Sequence, residues 1–161
     1  MNTLSCSVEI DAPVELVFDR CTDLHSWADT ITAIQKIEVL TEGPVGVGTR
    51  FRETRKMFGR EATEEMEYLE FERPSGYLLG AESNGCRYRT RFRLEAVGDA
   101  QSRTKLTFEF QAEPLNLFAK IMAFLMKPML KKVVGEVKKD LDDVKRVCEG
   151  AGASDPGTGG D

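Results

Sequence analysis

The segment "YLLGAESNGCRYRTRFRLEA", residues 77–96, decides how this chain folds. Asn84-Gly85 lies between two runs in which apolar and polar side chains alternate, and an Asn-Gly pair readily supplies the two positive φ angles of a two-residue hairpin turn. That turn sets the pairing. Glu82 faces Arg87, Ala81 faces Tyr88, Leu79 faces Thr90 and Tyr77 faces Phe92. The run "RTKLTFEFQAE" (103–113) extends the sheet when Leu94 meets Leu106, which brings Phe92 to Phe108 and Thr90 to Phe110. On the other face Glu95 then meets Lys105, and Arg91 meets Glu109. A slip of one residue would exchange the two faces, so this register is strongly specified. It also accounts for Arg87, Arg89, Arg91 and Arg93, which in isolation look like a nucleic-acid patch. With Glu82, Glu95 and Glu109 facing or flanking them, they read as a solvated, self-paired sheet face, and no nucleic-acid partner is expected.

Upstream, "TLSCSVEI" (3–10) puts Leu4, Cys6, Val8 and Ile10 on one face of a strand. Asp11-Ala12-Pro13 starts a helix that runs to about Cys21, a second short helix around Leu24–Thr30 carries Trp27, and Ile34–Leu40 is a strand. "GTRFRETRKMF" (48–58) and "EATEEMEYLEF" (61–71) form a hairpin whose turn is expected at Gly59-Arg60. That turn pairs Met57 with Ala62, Arg55 with Glu64, Glu53 with Met66 and Phe51 with Tyr68, all on one face. Phe51, Met57, Met66 and Tyr68 mark this face as the inner one, so Glu53, Arg55 and Glu64 point inward with them. "RPSG" (73–76) is a turn, and "GPVGVG" (43–48) joins two strands rather than opening a helix, so it is no phosphate cradle.

After Pro114 a long helix is expected over "NLFAKIMAFLMKPMLKKVVGEVKKDLDDVKRVCEG" (116–150). Its second half is amphipathic, with Val133, Val137, Leu141 and Val144 at helical spacing. Its first half is apolar on most sides. Pro128 lacks an amide hydrogen and its ring collides with the carbonyl of Phe124, so the helix should bend or loosen between them. The closing "GAGASDPGTGGD" (150–161) cannot bury a core and is expected to be a disordered tail, leaving one domain over residues 1–149.

Bulk composition agrees with one soluble domain. The 161 residues are 41 % hydrophobic and 30 % charged, with a net charge of −5. The charge is uneven: residues 115–148 carry eight Lys/Arg against four Asp/Glu, as expected of a basic helix across an acidic sheet. Cys6, Cys21, Cys86 and Cys148 show no CxxC spacing, and His25 is the one histidine, so no metal or other cofactor is expected. The cysteines read as reduced thiols and the N-terminus lacks a basic leader, which points to a cytoplasmic protein. Lys120 and Lys127 interrupt the greasiest stretch, so no transmembrane segment is expected, though transient membrane contact is compatible with it. No Gly-x-Ser-x-Gly setting exists for a nucleophile, and no residue is assigned a catalytic role.

"SVEIDAPVELVFDRCTDLHSWADTI" (7–31), with its Ile10–Asp19 element and the Trp27 that follows, resembles the START-like superfamily, also called SRPBCC, of the polyketide cyclase/dehydrase and lipid-transport group. "GTRF" (48–51) and "MEYLEFERPSGYLL" (66–79) carry the same resemblance, which spans residues 3 to about 148. It implies an α+β helix-grip fold: a curved antiparallel sheet of about seven strands wrapped round the C-terminal helix, two short helices after the first strand, and an apolar cavity between sheet and helix. The implied function is binding or transport of a small hydrophobic molecule of lipid, polyketide or isoprenoid type. The alternative is a cyclase/dehydrase-type enzyme in the same cavity, although no catalytic motif of those enzymes transfers residue by residue. A protein-interaction module with a sticky Met-rich helix is a third reading.

The expected lining follows from the faces. From the sheet come Phe51, Met66, Tyr68, Tyr77, Tyr88, Thr90, Phe92, Phe108 and Phe110, with Glu53, Arg55 and Glu64 as an inward polar group that is either a head-group anchor or a structural ion pair. The resemblance implies Trp27 near the entrance, and Phe118, Met122 and Met126 are expected to form the wall from the first half of the helix, which is expected to act as a mobile gate. A monomer or weak homodimer is expected.

Overall fold

Residues 2–153 are described by a computed structural model. Period-two alternation yields seven strands: β1 (Asn2–Ile10), β2 (Ile34–Val39), β3 (Arg50–Met57), β4 (Arg60–Glu72), β5 (Gly76–Ser83), β6 (Cys86–Val97) and β7 (Arg103–Pro114). All pair antiparallel in one sheet of order β1-β7-β6-β5-β4-β3-β2. Two short helices, α1 (Val14–Thr22) and α2 (Trp27–Thr30), follow β1, and α3 (Leu117–Leu125) and α4 (Leu130–Ala153) follow β7. With α4 packed on the sheet along β1, this is the helix-grip fold.

The deciding hairpin has the expected register at every position: Tyr77 pairs with Phe92, Leu79 with Thr90, Phe92 with Phe108 and Leu94 with Leu106. Asn84 (φ 49°) and Gly85 (φ 74°) form the turn. The outer face is laced as charge alternation requires. Arg91 makes a bidentate pair with Glu70, Arg87 pairs with Glu82 and Glu113, and Arg93 with Glu109.

The β3–β4 hairpin corrects the expectation. Its turn is Phe58-Gly59, not Gly59-Arg60, so Phe51 pairs with Met66, Glu53 with Glu64, Arg55 with Ala62 and Met57 with Arg60. Phe58 (φ 52°) and Gly59 (φ 75°) take the two positive φ angles, with glycine second, as in Asn84-Gly85. A non-glycine residue is costly there. In exchange, the Thr54 and Thr63 hydroxyls meet at 2.9 Å, and Arg50 and Arg52 both reach Glu65. The register moves by two residues, so every side chain keeps its expected face.

Pro128 breaks the C-terminal helix where its chemistry requires. The chain leaves α3 at Met126, makes a single 3-10 turn over Lys127–Met129 and restarts as α4. α4 continues through Ala153, past the expected domain end at 149, and the remainder of the expected tail lies outside the described residues. Below the break, Val137, Leu141, Val144 and Cys148 are buried against Ile10, Leu106, Phe18 and Trp27. Asp143 accepts the Thr32 amide at 2.9 Å and ties α4 to the segment after α2. Above the break the opposite holds: of α3 only Ala119 is buried. The two halves should therefore respond differently to truncation. Leu141→Ala should lower unfolding free energy by about 3 kcal/mol, whereas Leu125→Ala should change it by no more than about 0.5 kcal/mol, both read from urea midpoints at constant slope.

Candidate functional site

Burial sorts the expected lining residues into four groups. Trp27, Phe51, Tyr68 and Tyr77 belong to the solid core at the end of the sheet beneath α4. The Trp27 indole donates to the Cys21 carbonyl at 2.7 Å, and the Tyr77 hydroxyl approaches the same oxygen at 3.5 Å. Burial raises the pKa of both phenols, Tyr68 and Tyr77. The Tyr68 hydroxyl has no hydrogen-bond partner among the described residues, although Tyr68 is fully buried.

The second group is an aromatic strip. Tyr77 stacks on Phe92 at 4.7 Å, Phe92 meets Phe108 edge-on at 5.4 Å, Phe108 lies parallel to Phe110 at 6.4 Å, and Phe110 stacks on Tyr88 at 5.8 Å. The strip begins in the core and climbs the concave face of β6 and β7. Phe92 and Phe108 still pack against the core, whereas Tyr88, Thr90 and Phe110 stand beyond it, half-buried. Met66 and Val133 of α4, both half-buried, flank the lower end. Tyr88, Thr90 and Phe110 are thereby inner-face residues of β6 and β7 that the packed core leaves half-buried.

The third group is polar. Arg55 lies on the inner face, as expected, but its partners are Glu53 (Nε to Oε1, 2.6 Å) and Asp140 of α4 (Nη1 to Oδ2, 2.9 Å). Glu64, directly opposite Glu53, instead accepts from the Ser83 hydroxyl at 3.0 Å. Burial pushes the Glu53 carboxyl above the usual carboxylate range, and Arg55 only partly pulls it back. Asp140 is raised for the same reason. Burial also works against the Arg55 charge, but Glu53 and Asp140 more than offset it and leave its pKa raised. The expected reading missed Asp140. The signal was present: position 140 follows Val137 by three and precedes Val144 by four, which puts a carboxylate on the buried stripe of α4.

The fourth group stands apart. Phe118, Met122 and Met126 are 71 %, 41 % and 46 % exposed, so these side chains do not form the expected wall, and α3 meets β7 with Ala119 buried instead. His25 is exposed in the turn between α1 and α2. Hollows of about 320 Å³ beside Glu70, Arg91 and Phe92 and about 120 Å³ beside Arg87 and Gln111 line up with the charged ladder of the sheet rather than with α4. Among the described residues no three His, Cys, Asp or Glu side chains converge as metal ligands, and no helix is long and apolar enough to cross a membrane.

The family model described as polyketide cyclase / dehydrase and lipid transport matches residues 1–149. The chain belongs to this family. Solved structures with the same fold include the Zhui aromatase/cyclase from a Streptomyces species, at 19 % identity and TM-score 0.77, covering 98 % of this chain and 99 % of that one. TTHA0849 from Thermus thermophilus aligns at 18 % identity and TM-score 0.75 over 95 % of this chain and 100 % of that one. A START superfamily protein from Mycobacterium smegmatis aligns at 17 % identity and TM-score 0.71 over 92 % and 98 %. No curated protein matches the sequence. At these identities the structural likeness establishes the fold alone, so this family member's site has to be argued from its own residues.

Arg55 is the part of that site with the sharpest test. Arg55→Met leaves Glu53 and Asp140 buried without their cation, and should destabilise the fold by about 3 kcal/mol near neutral pH. Both carboxyls then rise further above their unfolded values. A raised carboxyl keeps a proton in the fold that the unfolded chain has lost, so the penalty grows as pH climbs above the ordinary carboxylate range and fades as pH falls back through it. Urea midpoints of parent and variant should therefore converge toward acid; a gap independent of pH would refute the buried ion group.

Proposed function

We propose that this protein binds one small, uncharged hydrophobic molecule in the concave groove above its core. The observation that carries this reading is the aromatic strip, which continues past the packed core through Phe110 to Tyr88, both only half-buried. Aromatic walls with a few placed polar groups are what a small-molecule site requires. Glu53, Glu64 and Asp140 set three carboxylates against the single guanidinium of Arg55 on the groove side of the sheet. That balance repels anions and favours a ligand that offers hydroxyl donors, with the Tyr88 and Thr90 hydroxyls available to answer. In this reading α3 is the gate, and its exposed apolar side chains are the surface a ligand would recruit.

A second reading, cyclase or dehydrase chemistry in the same groove, is favoured by Glu64. Its carboxylate has a hydroxyl rather than a cation as its hydrogen-bond partner, which leaves it better placed than Glu53 to accept a proton from a ligand.

Titration with Nile red, a neutral apolar dye, should saturate at one molecule per chain. Phe110→Ala and Tyr88→Ala should each weaken binding by about tenfold. Hexadecanol should displace the dye and palmitate should not. Unsaturable binding, or parent-like affinity in both variants, would overturn the site. Amide exchange reports on the gate: residues 115–127 should exchange faster than 133–147 in the free protein, and the difference should narrow with dye bound.

A further inference from the structure

The segment from Leu115 to Gly135 is built unlike the rest of the molecule. In α3, Leu117, Phe118, Ile121, Phe124 and Leu125 are between 51 % and 74 % exposed. At 3.6 residues per turn those five side chains share one face spanning about 120°, and Ala119, the buried residue of α3, lies on the opposite side. The helix is nonetheless held in place at its start. The Asn116 side chain caps the Ala119 amide at 2.8 Å, and the Leu115 amide donates to Gly85 at 2.8 Å. The side of α3 that packs on the protein is thus the one bearing the small Ala119, and the large apolar side chains are turned outward as one contiguous face, which suits a partner outside the molecule.

The charge of the segment is equally one-sided. Lys120, Lys127, Lys131 and Lys132 are exposed, and no Asp or Glu occurs between Leu115 and Gly135, in a chain whose net charge is −5. The Lys127 ammonium lies over the Phe124 ring at 5.3 Å, which places a positive charge directly on the exposed apolar surface. At the same end of the sheet, where β3 turns into β4, Phe58 is 45 % exposed between Lys56 and Arg60. Apolar side chains ringed by lysines, with no carboxylate among those of α3 and the start of α4, are complementary to a surface that is negative outside and hydrocarbon within.

We propose that α3, with the lysines of the break and the first turn of α4, docks this protein reversibly on an anionic lipid surface, its apolar side chains entering the acyl boundary. This goes beyond the groove reading and requires no ligand in the groove.

The test is co-sedimentation of the full, ligand-free chain with vesicles of phosphatidylcholine alone and of phosphatidylcholine mixed with phosphatidylglycerol. Binding is expected to the mixed vesicles, weakly or not at all to the neutral ones, and to decline with added salt. Lys131→Glu with Lys132→Glu should lower the affinity by about tenfold or more. Leu117→Ser with Leu125→Ser should lower it comparably, with urea midpoints close to the parent's because both side chains are already in water. No binding to either vesicle, equal binding to both, or parent-like binding by the two double variants would overturn the proposal. So would a concentration-dependent dimer that Leu117→Ser with Leu125→Ser dissolves while vesicles bind nothing, which would make a second copy the occupant. Nile red titration of the same protein is independent of every one of these results, so failure here leaves the groove reading to its own test.

Discussion

The fold rests on one stripe of α4. Val137, Leu141, Val144 and Cys148 follow one another at helical spacing and are buried, and together they press the helix onto the lower part of the sheet, where Ile10, Leu106 and Leu94 meet α1 and α2. The stripe is short because Pro128 stops the helix from continuing upward in line. Packing is dense over the length of the stripe and thins beyond it, where Val133 is only half-buried. The sheet does not end there: β6 and β7 run on to Cys86 and Pro114, and their concave side chains lose their cover before they lose their aromatic character. The end of β6 and β7 that carries Tyr88, Thr90 and Phe110 is thus the part of the sheet beyond the packing of α4.

Arg55 fixes how that helix sits. A guanidinium shared between Glu53 of its own strand and Asp140 of α4 is a directional contact in a region otherwise held by non-directional burial. A buried ion group of this kind contributes little net stability over an apolar replacement. What it penalises is misplacement, because rotating or sliding α4 would strand a charge. Sequence reasoning left open whether the charges were a site or a structural pair. In the structure Arg55 bridges Glu53 and Asp140 and so joins sheet to helix, while Glu64 accepts from the Ser83 hydroxyl.

How much of this was legible depended on whether the information was local. Asn84-Gly85 fixed a whole ladder, because a two-residue turn allows one register and the alternating charges confirm it. Phe58-Gly59 was misread because glycine was taken as the first turn residue and not the second, an ambiguity that a lone glycine leaves and an Asn-Gly pair does not. The two-residue error was harmless for the faces, so Glu53, Arg55 and Glu64 were placed inward and Glu53 was expected beside Arg55, whereas the second partner is Asp140 and not Glu64. Pro128 told where the helix breaks. It carried no information on which way the upper piece goes, since that is settled by Asn116, Leu115 and Gly85 at the far end of the sheet. Hence Phe118, Met122 and Met126 were legible as soft apolar side chains but not as exposed ones. Depth within a face was likewise invisible: Tyr77 and Tyr88 both occupy concave-face positions, yet one is in the core and the other beyond it.

The distribution of charge ties these regions together. The outer face of the sheet neutralises itself through pairs such as Arg91–Glu70 and Arg93–Glu109, so it has little field to offer a partner. The groove side keeps an acidic excess, and the segment from Leu115 to Gly135 keeps an uncompensated basic one. These two residual fields have opposite sign. On the docking proposed for α3, its lysines would meet the anionic surface, and the carboxylates of Glu53, Glu64 and Asp140 would disfavour that surface's head groups as ligands. A neutral apolar molecule feels neither field and is free to pass between them. The proline that shortens the packing stripe thereby separates two surfaces of different chemistry, one that suits an interface and one that suits a solute.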